Sequence, residues 1–161
     1  MRFVLRDKLL SIGGDLTIED DRGRQVYFVD GKALSIGRRL EIKDNAGQIL
    51  GVIQQRLIAL RPTYEIVLPG GVSVTLSKRF SVFADRLKID VPGWDDLYVH
   101  GDLFDHEYSF ERGGREIARV SKRWISLVDA YGIEIADDQD PLLILASAVV
   151  IDELIDRDRR D

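Results

Sequence analysis

The segment from Asp140 to Ile155 constrains this chain more than any other. Asp140 is a good N-cap and Pro141 a good first helical residue. The run Leu142-Leu143-Ile144-Leu145-Ala146-Ser147-Ala148-Val149-Val150-Ile151 follows, with Ser147 its sole polar side chain. Stepped at about 100° per residue, these positions cover the whole helix circumference, and a helix that is apolar all round is buried on every side. From Leu142 to Ile155 it is about 21 Å long at about 1.5 Å per residue. A bilayer needs about 20 apolar residues, so this run is too short to span one. A central helix is therefore expected over about residues 140–156, wrapped by the rest of the chain. The terminal Asp156-Arg157-Asp158-Arg159-Arg160-Asp161 reads as a solvated exit.

The wrapping material reads in period two. Leu16, Ile18 and Val26, Phe28 flank Asp20-Asp21-Arg22-Gly23. Leu40, Ile42 and Ile49, Ile53 flank Asp44-Asn45-Ala46-Gly47, and Ile66, Leu68 and Val72, Val74, Leu76 flank Pro69-Gly70-Gly71. Tyr108, Phe110 and Ile117, Val120 flank Arg112-Gly113-Gly114. An apolar run, a glycine turn and a second apolar run mark an antiparallel hairpin. Further strands are expected at Leu87–Val91, Leu97–Val99 and Tyr131–Ile135. The fold class is mainly β: a closed antiparallel barrel of about twelve strands around a hydrophobic C-terminal helix, which an eight-stranded barrel is too narrow to hold.

An internal repeat supports closure. Tyr27-Phe28-Val29-Asp30-Gly31 is similar to Leu97-Tyr98-Val99-His100-Gly101. Gly47, Ile49, Ile53, Arg56, Tyr64 and Ile66 align with Gly114, Glu116, Val120, Arg123, Tyr131 and Ile133 at a constant offset of 67, with Ile49 against Glu116 a mismatch. Two similar halves suggest a pseudo-twofold barrel. A chain of 161 residues fits a single domain, residues 1–161.

Composition excludes several classes. Hydrophobic residues are 45% and charged residues 32%, which is ordinary for a folded globular protein and not for a disordered one. The absence of cysteine removes disulfide scaffolds, Cys-ligated zinc, iron–sulfur clusters and thiol catalysis. A net charge of −5 argues against a nucleic-acid partner. No apolar leader precedes the first strand, so the expected location is cytoplasmic, with peripheral association at a membrane surface left open.

No catalytic motif stands out, and no cofactor or metal is expected. The chain lacks a G-x-S-x-G elbow, a phosphate loop and a G-x-G-x-x-G fingerprint. The only cluster with enzyme-like chemistry is His100, Asp102, Asp105, His106 and Glu107, which reads as strand, turn, strand. The acidic pairs Asp20-Asp21 and Asp95-Asp96 lack EF-hand spacing and read as solvated turns.

A doubled motif is more unusual. Leu76-Ser77-Lys78-Arg79-Phe80 recurs as Val120-Ser121-Lys122-Arg123-Trp124. Strand alternation puts Lys122 with Ala118, Val120 and Trp124, and Lys78 with Val72, Val74, Leu76 and Phe80, on the apolar face. An unpaired charge is costly there. Either the lysines lie at strand ends and snorkel to the barrel rim, or they form a cationic rim for an anionic ligand, or a bulge reverses the alternation. Arg38 and Arg39 add positive charge.

The ordered elements Ser11-Ile12-Gly13, Val29-Asp30-Gly31-Lys32, Leu34-Ser35, Asp44-Asn45-Ala46-Gly47, Gly101-Asp102, His106-Glu107-Tyr108, Ile117–Trp124, Asp129-Ala130-Tyr131 and Leu143–Asp152 run the length of the chain. Together they resemble the LURP-one-related family, which shares the tubby C-terminal-like fold with phospholipid scramblases. The resemblance implies a twelve-stranded barrel threaded by the C-terminal helix. It carries over no catalytic residue. The expected role is a non-enzymatic binding or scaffold module with a protein partner, which includes a second copy. The alternative is recognition of an anionic phospholipid or phosphoinositide headgroup at a basic rim of Arg38, Arg39, Lys78, Arg79, Lys122 and Arg123.

Overall fold

The computed structural model describes residues 1–7, 15–32, 37–79, 86–126 and 129–160. Ser11–Gly13, Leu34–Ser35 and Phe80 lie outside the described residues, as do the side chains of Lys32, Lys78, Arg79, Arg86 and Arg160.

Twelve strands form: β1 (Arg2–Asp7), β2 (Leu16–Asp20), β3 (Gln25–Lys32), β4 (Arg39–Lys43), β5 (Ile49–Gln55), β6 (Thr63–Val67), β7 (Ser73–Arg79), β8 (Arg86–Asp90), β9 (Leu97–Asp102), β10 (Glu107–Arg112), β11 (Arg115–Ser121) and β12 (Ala130–Ile135). Each pairs antiparallel with its sequence neighbour, and β1 closes on β12 with Phe3 opposite Ile133 and Leu5 opposite Tyr131. The result is an up-and-down barrel without a free edge, so every ladder finds partners. Alternate residues fill the interior: Leu40 and Ile42, Ile53, Ile66, Val74 and Leu76, Leu87 and Ile89, Val99, Phe110 and Val120 are all buried.

The helix α1 (Pro141–Arg160) runs through this interior. Asp140 caps it, its Oδ1 accepting from Leu142 N at 2.9 Å. Every side chain from Leu142 to Ile151 is buried, as are Leu154 and Ile155. The one buried hydroxyl of the helix, Ser147, donates to Leu143 O at 2.8 Å, so it leaves no unsatisfied donor there. The helix continues four residues past the expected end. Asp156 to Arg159 are helical but exposed, and Arg159 donates to Phe104 O at 3.2 Å across the barrel mouth. Among the described residues no helix is long and apolar enough to cross a membrane.

The internal repeat maps onto strands six apart in the ring, so β3, β5 and β6 match β9, β11 and β12. Gly47 and Gly114 both turn with positive φ, 81° and 78°. The mismatch of Ile49 against Glu116 falls on the exposed face in both halves, where the barrel interior does not constrain the side chain.

One expectation about alternation is corrected. β11 ends at Ser121, and Lys122–Trp124 form a single 3-10 turn in which Ser121 Oγ accepts from Arg123 N at 3.2 Å. Lys122 is therefore exposed at the rim instead of pointing into the apolar interior. Trp124 lies on the outside, against Gly132. Val72 likewise precedes β7 and is exposed.

Candidate functional site

The strand directions divide the connections between two ends. β1 reaches Asp7 at the end where α1 finishes, so the β3–β4, β5–β6, β7–β8, β9–β10 and β11–β12 connections lie there too. At this helix-exit end two consecutive carboxylates of α1, Asp152 and Glu153, are gripped from two sides. Arg38 Nε donates to Glu153 Oε2 at 2.8 Å and its Nη2 to Oε1 at 3.0 Å, a two-pronged pair that is mostly buried. His106 Nε2 lies 2.9 Å from Asp152 Oδ1, and the Tyr131 hydroxyl donates to Asp152 Oδ2.

These grips are pseudo-twofold equivalents. Arg38 immediately precedes β4 and His106 immediately precedes β10. Gln55 N donates to Arg38 O at 2.9 Å, and in the other half Lys122 N donates to His106 O at 3.1 Å. Tyr64, the counterpart of Tyr131, is buried near Glu153. Burial first, then that carboxylate, pushes its hydroxyl up to about 12. Tyr131 is raised well above its ordinary value by burial and then by Asp152. His106 holds its ring at this position with φ 53°, the one described non-glycine residue with positive φ.

Beside the His106 grip is a cavity of about 120 Å³ walled by Asp7, His106, Lys122, Asp129, Tyr131, Asp152 and Asp156, among others. Asp7, at the partly open rim, is raised to about 6, first by desolvation and then by Asp152, Asp156 and Asp129, while His106 opposes the shift. Among the described residues no group of three or more His, Asp or Glu is arranged to hold a metal ion.

A sequence model of LURP-one-related proteins matches residues 1–152. The chain belongs to the LURP-one-related family. It is similar to YxjI of Bacillus subtilis (strain 168), an uncharacterized protein, at 29% identity over 158 residues, covering 98% of this chain and 96% of YxjI. Its fold is similar to the X-ray structure of a protein from Arabidopsis thaliana, with a TM-score of 0.71 and 12% identity, covering 95% of this chain and 91% of that one. In this member of the family the fold is the closed twelve-stranded barrel with one C-terminal helix.

Topology brings all six basic residues expected from the sequence to the exit end of this LURP-one-related barrel, but spreads them around its circumference. Arg38 and Arg39 lie at the start of β4, Lys78 and Arg79 at the end of β7, and Lys122 and Arg123 just after β11. Arg38 spends its charge on Glu153. Arg39 is half-buried opposite Gln54. For Lys78 and Arg79 only the backbone position is described. Lys122 and Arg123 are exposed, and Arg123 faces Glu107 at 3.7 Å in an open contact.

The His100–Glu107 cluster is dispersed. His100 lies 2.8 Å from Glu111 on neighbouring strand β10, while His106 is committed to Asp152 on the helix. Asp102 accepts from Asp105 N within its own turn, and Glu107 accepts from Ser121 Oγ at 2.9 Å. The acidic turns are also engaged. Asp20 accepts from Arg22 N and Arg24 N, and Asp96 lies 3.3 Å from Lys88.

Sequence reading missed the β5–β6 connection. Leu57, Ile58 and Leu60 are 60%, 99% and 104% exposed between Arg56 and Arg61. The signal was present: a consecutive Leu-Ile-Ala-Leu run bracketed by arginines and closed by Pro62, matching neither strand alternation nor turn chemistry.

Proposed function

We propose that the protein is a non-enzymatic binding module that engages an anionic phospholipid surface with its helix-exit end. The β5–β6 tip carries this reading. A folded chain rarely leaves two aliphatic side chains, Ile58 and Leu60, fully in water beside a third, Leu57, that is mostly exposed, without a partner. The connection has no aromatic anchor, whereas the core of a protein interface favours aromatic-rich patches. Arginines on both sides fit the headgroup layer, where long cationic side chains keep their charge in water while the tip reaches the acyl boundary.

Magnitudes support a reversible contact. Each aliphatic side chain contributes about 1.5–3 kcal/mol when fully buried. Each cation near an anionic leaflet adds about 1 kcal/mol. Arg56, Arg61, Lys122 and Arg123 lie on the exit side, although Arg56 shares Glu65 and Arg123 shares Glu107, both at 3.7 Å. Dispersal of the basic pairs around the rim suits a surface better than a single headgroup pocket.

Vesicle co-sedimentation tests the reading. Expected is binding to phosphatidylserine-doped vesicles over neutral phosphatidylcholine vesicles, weakened at high salt. Ile58→Asp/Leu60→Asp abolishes it, and Lys122→Glu/Arg123→Glu reduces it, with thermal melts unchanged in both. Absence of binding to anionic vesicles at low salt overturns the proposal. Concentration-dependent self-association lost in Ile58→Asp/Leu60→Asp assigns the tip to a second copy instead.

A further inference from the structure

At the opposite, helix-start end a groove of about 490 Å³ opens between the β6–β7 turn, the β8–β9 connection and the first turn of α1. Its walls are aliphatic: Leu68, Val72, Val74, Val91, Leu142 and Leu143. The volume lies within the range of about 300–1,000 Å³ that small-molecule sites occupy. Trp94 lies at its edge, 74% exposed, a large aromatic surface left in water beside an apolar cleft.

One cation faces this groove. Arg112 donates from Nη1 to Gln139 Oε1 at 2.8 Å, and its Cζ lies 6.0 Å from the centre of the Trp94 ring. Its Nε is buried with no hydrogen-bond partner among the described residues. No carboxylate lies within ion-pair distance of it among the described residues, although two carboxylates line the same groove. Both are engaged elsewhere. Asp138 is bound by Arg115 at 2.6 Å and accepts from Gln139, and Asp140 caps the helix. The positive end of the α1 dipole points the same way.

We propose that this groove binds a small amphipathic carboxylate, with the anionic head on Arg112 and the hydrocarbon tail along Val72, Val74, Leu142 and Leu143. A carboxylate supplies what Arg112 lacks among the described residues: a counter-charge for its guanidinium, whose planar donor array suits two-point recognition. A cationic ligand meets Arg112 unfavourably. A neutral apolar one leaves the Arg112 charge without a counter-ion. The site is independent of the lipid-surface reading, because it uses the other end of the barrel.

Octanoate and octanol, below their aggregation limits, are the probes. The chain has two tryptophans, so Trp124→Phe leaves Trp94 as sole reporter. Octanoate is expected to change Trp94 emission saturably, with octanol at least tenfold weaker. Arg112→Gln brings octanoate down to the octanol level, and Arg24→Gln, at another turn of the same end, leaves it unchanged. Val72→Asp, at an exposed wall position that tolerates charge, abolishes octanoate binding and serves if Arg112→Gln does not fold. Equal binding of the two probes, an unsaturable octanoate response, or full affinity in Val72→Asp overturns the proposal.

Discussion

At the helix-start end, β4 and β5 are joined through Asp44–Gly47, with Asp44 Oδ1 accepting from Ala46 N and Gln48 N, both at 2.9 Å. Asp20 closes the β2–β3 turn the same way, and the two N–H bonds with the Arg24 contact hold its carboxyl below the usual range. At the helix-exit end, β5 and β6 are joined through residues 56–62, which lift Leu57, Ile58 and Leu60 into water. The same barrel thus carries tight, self-satisfied turns at one end and longer connections with exposed apolar and basic groups at the other. Turns that answer their own hydrogen bonds have little left to offer a partner. Connections that do not are where binding surfaces are built. The helix-start end becomes a binding candidate in the groove beside α1, where Arg112 has no carboxylate partner among the described residues.

The largest expected effect removes both ends together. Ala148 is fully buried in α1, and Ala148→Asp places an unpaired carboxylate in the barrel interior. Such a burden rivals the whole stability of a typical domain, about 5–15 kcal/mol, so circular dichroism is expected to show no cooperative melt. A cooperative transition in this variant breaks the central-helix account.

Glycines separate the ends next. A Cβ at Gly101, whose φ is +127°, meets Glu107 O at 2.6 Å and Tyr108 Cα at 2.8 Å, both backbone, whereas at Gly23 nothing lies within 4 Å. Gly101→Ala is expected to lose about 3 kcal/mol or more in urea unfolding, and Gly23→Ala about 1 kcal/mol from positive φ alone. Similar losses mean that the exit end is no more tightly constrained than the turns.

Arg38→Ala leaves Glu153 mostly buried without its two-pronged partner. About 2 kcal/mol of stability is expected to go, with Arg38→Lys recovering part of it because a lysine supplies the charge but not the fork. A loss within 0.5 kcal/mol makes the grip an ornament of the mouth and not one of its fastenings.

The smallest effect reads out as pH dependence. Asp7 is raised from 3.8 to about 6 in the folded chain. Below about pH 4 the carboxyl is protonated in both folded and unfolded chains and contributes nothing. Between about pH 4 and 6 the unfolded chain releases the proton more readily, so stability falls as pH rises, and the penalty is constant above. Asp7→Asn removes that slope. The Tm difference between variant and wild type is expected to grow from pH 4 to 6 and then level off. A flat difference separates Asp7 from the acidic cavity.

Much of this was legible in the residues. Asp-x-x-Gly turns, the period-two runs and the capped apolar segment after Asp140 each act within a few residues of themselves. The offset of 67 added the second half of the ring. The end of β11 was not legible. Val120-Ser121-Lys122-Arg123-Trp124 continues strand alternation on paper, and only the reach of Ser121 and Glu107 to Arg123 N turns the chain out of the sheet. Nor did the helical tail declare itself, since its charged residues read equally as coil.

The sequence by itself determined that a helix without a polar face had to be enclosed and that hairpin strands had to enclose it, because hydrophobic burial and turn geometry are written in short-range patterns. Only closure of β1 onto β12 around that helix decided which side chains meet across an end. That closure brought Arg38 and His106, 68 positions apart, to neighbouring carboxylates of one helix, and it left Ile58 in water and Arg112 with no carboxylate partner among the described residues. Those outcomes depend on distances between elements remote in sequence, which no local pattern encodes.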